Sequence, residues 1–453
     1  MNNRIFGATV SLLMAWVMWM SIADVTLAQD PFIEDNIMIH QSFAGENIGD
    51  GFGWVGANIG DINRDGFNDM IITAPFYGAD GSSAGKAYVY SACSGRLLNE
   101  VEGDPGELLG FSAATVGDLN QDGVSDYILG ALGGSRATVY SGRDHSVLLT
   151  LTGNEGDGFG ASVAGAGDVN GDSVPDLFIG ATRESSVMTN TGRVYLFSGA
   201  DGAILWQHDG PAENSFLGGG VGKVGDINQD NIPDQVAAAH GASEAYVFSG
   251  VDGTILLTLE PTAPSGTPPT FGRFFARGAG GDVDGDGIPD IFLGDYNAQR
   301  GEANGTGRAY IYSGADGSAI QVFEAETDGD GLGPGRGIPD IDGDGLFDVI
   351  AAAWTSSAGT SGGGRVYLYS GVDQRVLGTI TGNVEADALG VDALSLDDIS
   401  GDGVPDYLVT AVGNDFNGND VGRAYVVSFS QAPCGSGIFN WWSNFLSYRG
   451  LGQ

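Results

Sequence analysis

The sequence predicts an all-β protein, a seven-bladed propeller of four-stranded antiparallel blades whose ring is closed by an N-terminal strand. Three observations carry that expectation. A nine-residue acidic loop recurs seven times, starting at 61, 118, 168, 226, 282, 340 and 398, so the repeating unit is 50–58 residues long. Around these loops lie short apolar runs, four to a unit, separated by Gly- and Asp-rich turns and lacking a helical period. Finally, the seventh unit stops after its third run, GRAYVVS at 422–428, whereas an extra run, NIMIHQSF at 36–43, precedes the first unit. That extra run is the missing fourth strand of the last blade.

Taken from the N-terminus, Asn2, Asn3 and Arg4 precede a nearly continuous apolar stretch from Ile5 to Ala23, with small residues at Thr26 and Ala28. This is the layout of an export signal over 1–28. A retained membrane anchor is the alternative, because the stretch is almost long enough to span a bilayer, although Asp24 interrupts it.

The propeller is expected over 32–430. Each unit opens on Phe-Gly or a relative: Phe52-Gly53, Phe159-Gly160, Phe271-Gly272, and degraded copies at Leu332-Gly333 and Leu389-Gly390. Small residues follow, as in ASVAGAG at 161–167, which suits an innermost strand where blades crowd the axis. The acidic loop comes next, then a second run such as YILGA at 127–131 and a third such as GRVYLFS at 192–198. A turn such as SGADG at 198–202 leads to the fourth run, as in TILLTL at 254–259.

The loops offer oxygen at positions 1, 3, 5 and 9, with a turn residue at 6, which is what a hard cation such as Ca2+ requires. The candidate ligands are Asp61, Asn63, Asp65 and Asp69; Asp118, Asn120, Asp122 and Asp126; Asp168, Asn170, Asp172 and Asp176; and Asp226, Asn228, Asp230 and Asp234. The later loops offer Asp282, Asp284, Asp286 and Asp290; Asp340, Asp342, Asp344 and Asp348; and Asp398, Ser400, Asp402 and Asp406. An EF-hand is excluded, because position 12 is apolar in all seven (Ile72, Leu129, Ile179, Ala237, Leu293, Ala351, Val409) where a bidentate Glu is needed. Metal-free Asx-turns are the alternative. The loops at 282–290 and 340–348, with four Asp each, should bind most tightly, and the seventh least. Up to seven structural Ca2+ are expected, and weak sites of this kind fill in extracellular calcium, in keeping with export.

Net charge is −40, and 23 of the 58 acidic residues lie in these loops. Such a surface repels nucleic acid, whose binding depends on Lys and Arg meeting phosphate. Cys93 and Cys434 fall on neighbouring blades, which leaves open one disulfide or two buried thiols. The histidines (His40, His145, His208, His240) have neither ligand spacing nor a triad partner. Gly220–Gly225 fits a dinucleotide fingerprint and Gly359–Gly363 a nucleophile elbow, but the first leads into an acidic loop and the second lies between strands. No catalytic constellation is visible.

If the acidic loops join strands one and two, the loops joining strands two and three lie on the opposite face. These are 76–84, 182–191, 295–306, 354–363 and 413–421, and they carry Tyr77, Arg183, Tyr296, Arg300, Trp354 and Phe416, residue types favoured at binding hot spots. In the tail, 431–453, Ile438, Trp441, Trp442, Phe445 and Leu446 form one helical stripe, suited to docking on the propeller or to a membrane or partner surface.

Phe-Gly, an Asp-rich loop and Gly-Ala-Pro-like residues together resemble the FG-GAP repeats of the integrin alpha-subunit propeller, over about 32–430. Such repeats also occur in exported microbial proteins and in a glycosylphosphatidylinositol-specific phospholipase. There are departures: only Thr73-Ala74-Pro75 keeps the proline, Gly294-Asp295 replaces Gly-Ala, and all seven units keep a metal-type loop. The resemblance implies an exported adhesion or binding module whose protein or glycan ligand sits on the face opposite the metals. An enzyme or enzyme-associated module acting on glycans or lipids, or a purely structural surface protein, are the alternatives.

Overall fold

The computed structural model describes residues 30–78, 81–278, 281–414, 421–430 and 434. Phe416, the segment 1–28 and the stripe at 438–448 lie outside the described residues. Among the described residues, 28 strands form seven four-stranded antiparallel sheets, and the one helical element is a 3-10 turn at His240–Ala242. No helix among them is long and apolar enough to cross a membrane.

Blades 1 to 6 run outward from the axis in chain order. Blade 1 uses Gly56–Gly60, Asp69–Ala74, Lys86–Ser91 and Leu97–Glu102. The second strand is buried along its whole length in blades 1 and 2, since neighbouring blades cover both its faces. The outer strand is exposed or half-buried at nearly every position, because it lies at the rim of the ring. The apolar core therefore lies between blades. One cluster joins Ile59, Ile71 and Val89 of blade 1 to Leu109, Tyr127 and Leu129 of blade 2, and six similar clusters continue the pattern.

The residue opening each inner strand is a buried plug. Phe52 packs on Tyr88 (ring centroids 5.4 Å apart), Phe159 on Tyr195 (5.7 Å) and Phe271 on Tyr310 (5.6 Å). Blades are also stitched by backbone. Gly85, Gly192, Gly307 and Gly364, each just before a third strand, bridge in parallel to Leu109, Leu217, Leu332 and Leu389 of the next blade. A Cβ on Gly85 would lie 2.2 Å from the Leu109 nitrogen, so no larger residue fits there.

Met38–Ala44 pairs antiparallel with Arg423–Ser428, from Met38 opposite Ser428 to Ala44 opposite Arg423, with a bulge at His40. This N-terminal strand is the outer strand of blade 7 and closes the ring. A Cβ on Gly422 would lie 2.2 Å from the Phe52 carbonyl oxygen, so this junction is as close as the four bridged ones. Phe32, stacked edge-on against Tyr425 at 5.2 Å, and Glu34, which accepts from the Thr381 N–H at 2.7 Å, fasten the preceding residues to blades 7 and 6. The pairing that the sequence left open is also decided. Cys93, in the turn before blade 1's outer strand, is disulfide-bonded to Cys434, beyond the last strand, with Cα atoms 5.6 Å apart.

Candidate metal loops and an aromatic cavity

All seven acidic loops connect the first and second strands of their blades and so share one face. Their fold is set by hydrogen bonds to the loop's own backbone. In the second loop, Asp118 accepts from the Asp122 N–H at 2.9 Å and the Gly123 N–H at 2.7 Å, closing the turn over positions 1 to 6. Asp122 accepts from Val124 N–H at 3.0 Å. Positions 4 and 6 take the left-handed conformation, as at Gln121 (φ 59°) and Gly123 (φ 81°). The sequence indicated only the second of these bends.

Position 9 is the hub. Asp69, Asp126, Asp176, Asp234, Asp290, Asp348 and Asp406 are fully buried. In blades 1 to 6 their Oδ2 accepts the N–H of position 2 (Ile62, Leu119, Val169, Ile227, Val283 or Ile341) at 2.7–2.9 Å. In blades 2 to 6 their Oδ1 accepts the N–H of a glycine (Gly142, Gly199, Gly250, Gly314 or Gly371) in the turn between strands three and four, at 2.9–3.1 Å. One carboxylate thus joins the loop to the far hairpin of its blade. Burial pushes Asp69 up to about 7 and Asp234 and Asp290 up to about 6, since removal from water penalises the charged form.

Carboxylate oxygens of Asp282, Asp284 and Asp290 lie within 4.8 Å of one another, and those of Asp340, Asp342 and Asp348 do the same. These are the two four-Asp loops. Asp286 and Asp344, at position 5, instead accept from the N–H groups of Ile288 (2.8 Å) and Leu346 (2.9 Å). In the first loop Asn63 donates to Asp65 at 3.0 Å and Asp69 at 2.8 Å. In the seventh, Asp406 Oδ1 is buried with no hydrogen-bond partner. A donor set made entirely of oxygen, converging on buried carboxylates, fits a hard divalent cation.

The opposite face carries a cavity of about 420 Å³ over the axis. Its walls are aromatic: Trp54, Phe111, Phe274, Tyr296 and Trp354. Trp54 is the centre of this set, with ring centroids 5.6 Å from Phe111 and 6.1 Å from Phe274, while Tyr296 meets Trp354 at 6.3 Å. Asp392, 2% exposed, is paired with Arg336 and accepts the Gly56 N–H at 3.0 Å.

Two of the six candidates from the variable loops, Tyr296 and Trp354, line this cavity. Arg183 lines a neighbouring one. Tyr77 instead donates to Glu46 and lies 4.8 Å from the Lys86 ammonium, and Arg300 pairs with Asp328 and the Ala325 carbonyl; both fasten loops.

Trp54, Phe111 and Phe274 were not singled out by sequence reasoning, yet a signal existed for the first two. Trp54, Phe111, Ala161, Pro334 and Val391 each follow the glycine of Phe-Gly or its Leu-Gly equivalent, and each lines the cavity. Gly53, at φ 91°, turns the chain so that the residue after it faces the axis.

A family model described as FG-GAP repeat matches residues 52–90 and 159–197, the inner three strands of blades 1 and 3. Among curated proteins, human integrin alpha-6 is 36% identical over 94 residues, 20% of this chain and 8% of that protein. Mouse integrin alpha-7 is 38% identical over 93 residues (19% and 8%), and mouse integrin alpha-11 is 34% identical over 102 residues (21% and 8%). The chain thus spans under a tenth of the length of these relatives. The chain is thus a ring of seven four-stranded blades that carries FG-GAP repeats in two places and resembles the integrin alpha-subunits.

Proposed function

We propose that this chain is an exported, calcium-stabilised propeller that binds an extracellular protein or glycan through the face opposite its acidic loops. The observation that carries this reading is the aromatic cavity of about 420 Å³ formed by Trp54, Phe111, Phe274, Tyr296 and Trp354. Rigid aromatic walls offer large contact area at little entropic cost, and a volume in this range takes a sugar ring or a bulky side chain. Among the residues lining it, Asp392 is the one carboxylate and is already paired with Arg336, which favours binding over turnover.

The acidic loops support the rest. Asp282, Asp284 and Asp290, and Asp340, Asp342 and Asp348, would hold Ca2+, with the remaining loops contributing Asp and Asn or Ser oxygens. A bound ion there supplies charge neutralisation that keeps buried carboxylates ionised and pins the inner hairpin of each blade. The FG-GAP matches and the integrin relatives favour an adhesion role at the cell surface or outside the cell.

A glycan and protein array probed with the purified chain, with and without Ca2+, tests this. Saturable binding that Trp354→Ala weakens at least tenfold while leaving the melting curve intact is the expected result. Chemical turnover of any array ligand would overturn it.

A further inference from the structure

Beside the central cavity, over blades 2 to 5 and away from the acidic loops, lies a second hollow of about 290 Å³. Its polar lining includes two arginines that, like Arg64, Arg96 and Lys223, form no ion pair among the described residues. Nine basic residues, such as Arg136 with Glu107 and Arg193 with Asp209, are paired with carboxylates. Arg183 and Arg273, which both line this hollow, have no carboxylate partner among the described residues although the chain carries a net charge of −40.

The third polar group is His240, stacked on Phe216 at 5.3 Å, whose buried Nδ1 has no hydrogen-bond partner. Burial, reinforced by Arg273, holds this imidazole neutral, with its pKa lowered to about 3. Arg273 is itself held in place: its guanidinium lies 4.9 Å from the centre of the Phe274 ring and donates to the Tyr296 hydroxyl at 3.5 Å.

The structure assigns this hollow, we propose, as a subsite for an anionic sugar residue, a hexuronate or a sulfated pyranose, within the ligand of the adjacent aromatic cavity. The inference rests on the binding role proposed above and deepens it. Two guanidinium groups from different blades supply forked donors suited to a carboxylate or sulfate. Phe111, Phe216 and Pro268 give the flat apolar walls that the C–H face of a pyranose ring needs. The volume sits at the lower limit for ligand pockets, about 300 Å³, so one ring fits and an extended peptide does not. Distance from the acidic loops matters as well, because screening acts over about 8 Å at physiological salt and the opposite face does not reach the site.

The test is calorimetric titration of the full Ca2+-loaded chain with a hexuronate tetrasaccharide, its neutral hexose counterpart, a sulfated tetrasaccharide and a tetraglutamate peptide. The expected result is that an acidic sugar binds at least tenfold more tightly than the neutral one, and that Arg183→Ala and Arg273→Ala each remove at least fivefold. The uronate and sulfate arms decide which anion is read. Arg183 is exposed, so Arg183→Ala keeps the fold and carries the test should Arg273→Ala unfold. Equal binding of acidic and neutral sugars, no effect of either Arg substitution, or tighter binding of the peptide would each overturn the inference. Array ligands lost in Trp354→Ala but kept in both Arg variants, with no acidic-sugar binding, would overturn it while leaving the wider binding role standing.

Discussion

His40 Nε2 lies 3.6 Å from Asp406 Oδ1, with both side chains buried. In blades 2 to 6 the equivalent oxygen takes an N–H from the turn leading to the outer strand. Blade 7 has no such turn, because its outer strand comes from the other end of the chain. His40 is the bulged residue of that strand and places a polar neighbour beside this oxygen at beyond hydrogen-bond length, while its Nε2 bonds Ser428 Oγ at 2.9 Å. Ring closure and the seventh acidic loop therefore share one contact. His40→Leu is expected to cost about 1–3 kcal/mol, since it leaves a buried carboxylate oxygen without a polar neighbour. Urea denaturation measures the loss, and His40→Gln should recover part of it.

Calcium removal should lower the melting temperature by tens of degrees. With each Kd ~0.1 mM in ~1 mM Ca2+, a site adds roughly 1.4 kcal/mol, and seven sites on the order of 10 kcal/mol. Scanning calorimetry with and without a chelator checks this, and superimposable curves would count against bound metal.

The Cys93–Cys434 bond joins blade 1 to the end of blade 7 across 341 residues of sequence. Closing so long a loop restricts the unfolded chain, so Cys93→Ser should cost about 2–5 kcal/mol. The double variant with Cys434→Ser should match the single one, because both lose the same bond. An additive loss would show the thiols acting separately.

Ser173 holds position 6 of the third loop at φ 69°, where five other loops have glycine. Left-handed backbone costs a residue with a Cβ about 1 kcal/mol, so Ser173→Gly should raise stability by up to that amount. Thermal melts in excess Ca2+ measure it, and a lower melting temperature would contradict this account of the bend.

His240 makes stability depend on pH. Its folded pKa, about 3, lies below the ordinary value of 6.5, so between these values the unfolded chain binds the extra proton. The neutral histidine costs nothing above pH 6.5; destabilisation begins as pH falls through 6.5 and is complete below about 3. At pH 5 it reaches up to about 2 kcal/mol. The stability difference between His240→Leu and the parent should therefore shift in favour of the variant between pH 7 and 5; an unchanged difference would refute it.

The number of blades, the strand order within each and the closing strand were legible in the sequence because they rest on local repetition. The nine-residue loop marks each inner hairpin, and a unit short of its last strand needs that strand from elsewhere. The convergence of Asp282, Asp284 and Asp290, and of Asp340, Asp342 and Asp348, follows from carboxylates two to eight positions apart in one tight turn. The tertiary structure alone decided what lies between repeats. Tyr296, Trp354 and Trp54 come from blades 5, 6 and 1, and only the closed ring brings their rings over one axis. Arg183 and Arg273 sit 90 positions apart, and nothing local in the chain says that both lack a carboxylate. Even the role of His40 depended on which blade its strand completes. Short-range hydrogen bonding and side-chain alternation write themselves into sequence; contacts made by circular closure do not, because they depend on all seven blades at once.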